Sequence, residues 1–118
     1  MPLVRGDIVL VPFPFTDLTA RKVRPAVIVS PDPQGLDVLV AFISSSTAAA
    51  GASTDWTLSN AHPDFVHTGL KASSVFRCGK LLTIHRALVL RRLGQAGAAI
   101  QHELDRRLRL AVGCPDSP

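Results

Sequence analysis

Cysteine is scarce: the sequence holds only Cys78 and Cys114, at no spacing that suits a metal. Nothing around them suggests a disulfide scaffold, which predicts a reducing compartment. Lysine is scarce too, occurring only at Lys22, Lys71 and Lys80. There is no phosphate-cradling glycine loop, no H-E-x-x-H and no Cys/His cluster at zinc spacing, so no metal or other cofactor is expected. Charged residues make up 19% against 47% apolar, too little charge for a disordered chain. The N-terminal stretch MPLVRGDIVLVPFPF lacks the basic start and small-residue cleavage site of a secretory leader. It is also too short and too proline-rich to span a bilayer. The expectation is a soluble, cytoplasmic protein without a membrane partner. No repeat, low-complexity tract or interdomain linker appears.

What is present is material for one core. A chain of 118 residues is expected to form a single domain over 1–118. A core this small gains from a partner or a second copy. The formal net charge is +4 and the pI about 9.8, and arginine carries most of the excess. Its planar fork of donors fits phosphate in a bidentate way. An anionic partner is therefore favoured: a nucleic acid, an acidic protein or an anionic surface.

Strands dominate the first two thirds. Ile8 to Val11 is a β-branched apolar run, ended by Pro12 and Pro14, because proline cannot donate to a ladder. The segment 13–22 reads as a loop, and VRPAVIVS, Val23 to Ser30, as a second strand. PDPQG has strong turn chemistry, and DVLVAFIS, Asp37 to Ser44, forms a third strand. The second and third runs are nearly continuous in apolar residues, so both faces should be buried. Asp55 to Leu58 predicts a short strand and Ser73 to Cys78 another, which Lys80 to Ile84 continues or pairs with. Residues 60–69 read as irregular and 85–93 as ambiguous. From 98 to 112, Ile100, Leu104, Leu108, Ala111 and Val112 recur at helical spacing, with Gly113 and Pro115 as the stop signal. Short strands followed by one helix predict a mainly β fold, a small antiparallel barrel or roll with a packed C-terminal helix.

Of the four histidines, His62, His67, His85 and His102, none stands where acid–base chemistry is evident, and solvated or cap-forming imidazoles are expected. Two buried strands offer more. If the second and third strands form a hairpin about the turn 31–35, Val23 and Arg24 lie across from Ser44 and Ser45, within reach of one phosphate. From spacing alone that pair reads equally as a phosphate site or as ordinary surface groups.

The order of these residues resembles a known family. RGDIVLVPFPFTDLTARKVRPAVIVS, Arg5 to Ser30, is similar to the N-terminus of MazF/PemK toxins in its Gly6-Asp7-Ile8-Val9 opening, its variable loop and its Arg24-Pro25-Ala26. Ile43-Ser44 resembles the family's strand end, TGLKASSVF (68–76) its Gly-Leu…Ser-Val segment, and Leu82-Thr83-Ile84 its following strand end. The resemblance implies an SH3-like barrel, a homodimer and an acidic antitoxin whose tail fills the RNA groove. It implies metal-independent cleavage of single-stranded RNA at a short sequence, leaving a cyclic phosphate and a 5′-hydroxyl. It places catalysis on Arg24 and Ser44. Many relatives carry threonine at the latter, and serine keeps the donor while losing a methyl that stiffens the rotamer.

Other candidate RNA contacts rest on residue type. Arg21 and Lys22 are assigned on charge alone, Ser45 on its place beside Ser44, and Arg77 and Lys80 on their place near a strand. Phe15 is offered as a stacking platform or a barrel plug, and Phe13 as core. Trp56 reads slightly more as core than as an interface anchor, and Arg91 and Arg92 as surface charges. Two further readings stay open: a non-catalytic poison on the same barrel, as in CcdB toxins, and a plain SH3-like RNA- or protein-binding module.

Overall fold

The structure, a computed structural model, describes residues 2–12, 22–30, 35–47 and 50–115. Phe13, Phe15, Arg21 and most of the PDPQG turn lie outside them. In chain order the elements are β1 (Asp7–Pro12), β2 (Val23–Ile28), β3 (Asp37–Ser44), β4 (Asp55–Leu58), α1 (Phe65–Thr68), β5 (Ser74–His85), a 3-10 turn (Arg86–Leu88), β6 (Arg91–Gln95) and α2 (Ala98–Val112). The strands form one antiparallel sheet in the order β4-β5-β3-β2-β1-β6, curled into a half-barrel. The fold class expected from the sequence is the one found.

Period-two alternation explains why β2 and β3 read as continuous apolar runs. Val27, Val29, Ala41 and Ile43 face one core with Ile8, Phe76 and the helix residues Ile100 and Leu104. Ala26, Ile28, Val38, Val40 and Phe42 face a second core with Val9, Val11 and Ile84. Trp56 belongs to the first core, 5.8 Å from Phe76 between ring centroids and edge-on to His62.

Helix α2 caps the first core with Ile100 and Leu104. It ends at Gly113, whose φ of +75° frees the last N–H groups to bond Arg109 and Leu110 carbonyls. Arg5 fastens it to the sheet: Nε donates to Val29 O at 2.9 Å, and Nη2 lies 2.9 Å from Asp105 Oδ1.

Three departures from the sequence reading have local causes. Residues 65–68 form a short helix, not an irregular segment. Thr68 Oγ donates to Phe65 O at 2.6 Å and accepts the Leu70 N–H, and Gly69 turns the chain at φ +72°. Residues 74–85 are one strand, the continuing alternative of the sequence reading; the departure is an internal bulge, where Phe42 pairs Arg77 but Ala41 pairs Leu81, so 78–80 stand out of register. Arg92 is not a plain surface charge. Its Nη2 lies 3.0 Å from Oδ2 of Asp7, a fully buried carboxylate that also accepts from Val4 N–H and Gln95.

Candidate nucleic-acid groove

Polar residues at the ends of apolar strands set the site. β2 pairs β3 with Ala26 opposite Phe42. Carried two residues toward the strand ends, this register brings Arg24 level with Ser44, on the face that carries Ala26 and Phe42. On the other side of β3, Arg77 pairs Phe42 and so stands diagonal to Ser44. A groove of about 680 Å³ opens here. Its walls carry Arg24, Ser44, Ser45, Arg77 and Lys80, with Pro25, Phe42 and Leu70 among its apolar lining.

The structure thus brings together five of the eight residues proposed from sequence. Lys22 is exposed but is not among the residues lining the groove, while Phe15 and Arg21 lie outside the described residues. Two further cations line it, Lys71 and Arg91. Arg91 is more than the surface charge expected from the sequence, because its register opposite Leu10 puts it on the wall. Lys71 precedes β5 in a segment without periodicity, so only its charge could have flagged it.

The electrostatics are one-sided. Among the described lining residues Arg24, Lys71, Arg77, Lys80 and Arg91 are cationic, and none is Asp, Glu or His. Such a wall offers a divalent cation no side-chain carboxylate or imidazole, and no group of three His, Cys, Asp or Glu among the described residues could hold one. Donors are plentiful. Ser44 Oγ accepts the Ser46 N–H at 3.1 Å, which orients the oxygen and leaves its own O–H to donate. The histidines serve elsewhere: His62 Nδ1 accepts from Asp64 N–H and His85 Nδ1 from Ala87 N–H. Within the bulge, burial pushes the Cys78 thiol up to about 11, against a smaller opposing pull from Arg107.

The curled antiparallel sheet thus carries at its strand ends a groove whose described charged residues are all cations. Residues 4–112 match the family model described as PemK-like, MazF-like toxin of type II toxin–antitoxin system, and the chain belongs to that family. No curated protein matches it. Among solved structures it is similar to a mycobacterial endoribonuclease in complex with its cognate antitoxin, at 16% identity and TM-score 0.75, covering 98% of this chain and 100% of that one. The Mycobacterium tuberculosis toxin MazF-mt6 is 21% identical at TM-score 0.73, covering 93% and 99%. A MazE–MazF structure from Deinococcus radiodurans matches at 20% identity and TM-score 0.70, covering 96% and 98%. Among the described residues no helix is long and apolar enough to cross a membrane.

Proposed function

We propose that this toxin is an endoribonuclease that cuts single-stranded RNA without a metal, using Arg24 and Ser44. The observation that carries the reading is the convergence of that pair in a groove whose described charged residues are all cations. Single strands fit because unpaired bases can lie on its apolar lining while phosphates meet the cations.

The chemistry suits these groups. The ribose 2′-oxygen attacks phosphorus, forming a 2′-O–P bond as the P–O5′ bond breaks. The 2′-hydroxyl gives up its proton to water and the departing 5′-oxygen takes one from water, so the products are a 2′,3′-cyclic phosphate and a 5′-hydroxyl. The protein must hold the three centres in line and stabilise charge growing on the phosphoryl oxygens. Arg24, always protonated, supplies a fork of donors, and the Ser44 hydroxyl supplies another. Ser45, Lys71, Lys80 and Arg91 hold neighbouring phosphates, and Lys22, Arg21 and Phe15 are further RNA contacts by residue type.

The same cationic surface suits an acidic partner. We infer an antitoxin with an acidic segment that occupies the groove, in keeping with the family and with the antitoxin complexes of its structural neighbours, and a homodimeric toxin.

The test is incubation with a long single-stranded RNA in excess EDTA, wild type beside Arg24→Ala. Discrete fragments ending in cyclic phosphate from wild type alone are expected. No cleavage of several RNAs by folded protein would replace this reading with a non-catalytic binding poison or module.

A further inference from the structure

Strand β6 carries two adjacent arginines, and its register decides which of them meets the groove. Asp7 pairs Gln95 and Ile8 pairs Gly94, but Val9 pairs Arg92, so Leu93 is one residue extra on the β6 side. Side chains alternate between the faces of a strand, and a slip of one residue sends each to the other face. Without the bulge, Arg92 would stand opposite Leu10, a groove residue. Arg91 would stand opposite Val11, which is fully buried in the second core. The bulge reverses this. Arg91 stands opposite Leu10 on the groove wall, and Arg92 turns to the face of Asp7 and Val9.

Asp7 grips the bulge on both flanks. Its Oδ2 accepts from Arg92 Nη2, before Leu93, and its Oδ1 from Gln95 Nε2, beyond it, both at 3.0 Å. The carboxylate is itself fixed. It is fully buried, its Oδ2 also accepts the Val4 N–H at 2.9 Å, and its own N–H donates to Val4 O at 3.1 Å. Just before it Gly6, at φ +95°, turns the chain into β1 and donates its N–H to Ile28 O at 2.8 Å. In the unshifted register Arg92 would point away, and Asp7 would stay buried without its cation, a costly arrangement. The outer edge of β6 is confined as well, since a Cβ on Gly69 would lie 2.0 Å from Leu93 O.

Resting on the reading of the groove as an RNA site, we propose that Asp7 is a positioning residue for RNA binding. By holding the bulge at Leu93 it selects Arg91, and not Arg92, as the β6 cation that meets a phosphate. Asp7 touches no RNA; it acts through the register of the strand that carries Arg91.

The experiment measures binding by fluorescence anisotropy over a series of KCl concentrations. The probe is the 2′-O-methyl copy of a single-stranded RNA that the wild type cuts. The proteins are wild type, Arg91→Ala, Asp7→Asn, Gln95→Ala and the double variant Asp7→Asn/Arg91→Ala, with folding checked by circular dichroism. Arg91→Ala should weaken binding and reduce the slope of log K against log salt by about 0.7, the share of one phosphate contact. Asp7→Asn should weaken binding several-fold and reduce the slope in the same direction, although it removes a negative charge. Charge alone predicts unchanged or tighter binding. The double variant should lose no more than Arg91→Ala does, because the two changes act through one contact. Gln95→Ala frees one flank of the bulge at an exposed position; it should act in the same direction and stands as the test should Asp7→Asn fail to fold. In cleavage, both Asp7→Asn and Gln95→Ala should raise KM with kcat little changed. Wild-type affinity in folded Asp7→Asn or Gln95→Ala would overturn the proposal, as would wild-type affinity in Arg91→Ala or additive losses in the double variant. If wild type cuts no RNA, the endoribonuclease reading falls, and the same titration with an unmodified single strand still decides whether Asp7 places Arg91.

Discussion

Removing Arg92 should cost more than any ordinary surface arginine. Asp7 is fully buried, and a carboxylate there is tolerated only with partners. Its Oδ2 takes Arg92 Nη2 at 3.0 Å and the Val4 N–H at 2.9 Å, and its Oδ1 takes Gln95 Nε2 at 3.0 Å. Arg92→Leu strips away the cation and leaves the charge. Breaking a buried pair from one side costs about 3–5 kcal/mol. Two neutral donors remain, so the lower end, about 3 kcal/mol, is expected. For a chain of this size that lowers Tm by roughly 10 °C. Adding Asp7→Asn should recover part of the loss, because the neutral amide needs no counter-charge and Gln95 can turn its own amide to meet it. Urea titration of wild type, both single variants and the double variant measures the coupling. A loss below about 1 kcal/mol in Arg92→Leu, or strict additivity in the double variant, would show that Arg92 does not hold the buried charge, since surface changes usually stay within about 0.5 kcal/mol.

Arg24→Ala, which should abolish cleavage, is expected to leave the urea midpoint almost unmoved, because the side chain is exposed at a strand end; unfolding of this variant would make Arg24 structural. Gly94→Ala should destabilise by about 1–3 kcal/mol, the range of overpacking, since a Cβ there meets His67 O at 2.3 Å and Thr68 C at 2.5 Å, backbone atoms that cannot yield cheaply; thermal melting decides. For Cys78 the folded thiol keeps its proton to about 11 and the unfolded one to about 9.0. The unfolded state therefore binds fewer protons between those values. The stability is whole below pH 9 and falls as pH rises toward 11, by up to about 2–3 kcal/mol. Urea titrations at pH 8 and 10.5 should show that loss in wild type but not in Cys78→Ala, beyond whatever fall the two share.

Much of the fold was legible because the residues that make it also bound it. Asp37–Ser44 and Asp55–Leu58 lie between polar or turn-forming neighbours, and Ala98–Val112 runs from Gly97 to Gly113, so the strands and helix found match those expected. What escaped was fixed by contacts distant in sequence. The bulge at 78–80 depends on how β5 pairs with β3, with the Cys78 N–H turned to Thr54 O at 3.1 Å, and nothing in KLLTIH or SSVFRC announces it. The helix 65–68 is too short for periodicity. It exists because Gly69 and Gly94 let two backbones approach where a Cβ would sit 2.0 Å from Leu93 O or 2.3 Å from His67 O. Arg92 looked solvated because its partner, Asp7, lies on another strand.

The groove follows the same division. Arg24 and Ser44 were readable as a pair because β2 and β3 are neighbours in sequence, and an antiparallel pairing of the two runs, found with Ala26 opposite Phe42, brings their outer ends level. Arg77 and Lys80 were readable as cations near a strand, but not as neighbours of Ser44, since a strand passing through a bulge loses its simple parity of faces. Lys71 and Arg91 come from a loop and an edge strand that reach the wall only when the sheet curls. Asp55 is the clearest instance. In sequence it is one acid before a tryptophan. In the fold it is a buried charge whose only ion-pair partner in the described structure lines the groove. A buried carboxylate persists where it has neighbours to satisfy it, and those of Asp55 are the loop after the serines and Arg77. Its placement therefore joins two parts of the site that the sequence alone keeps apart.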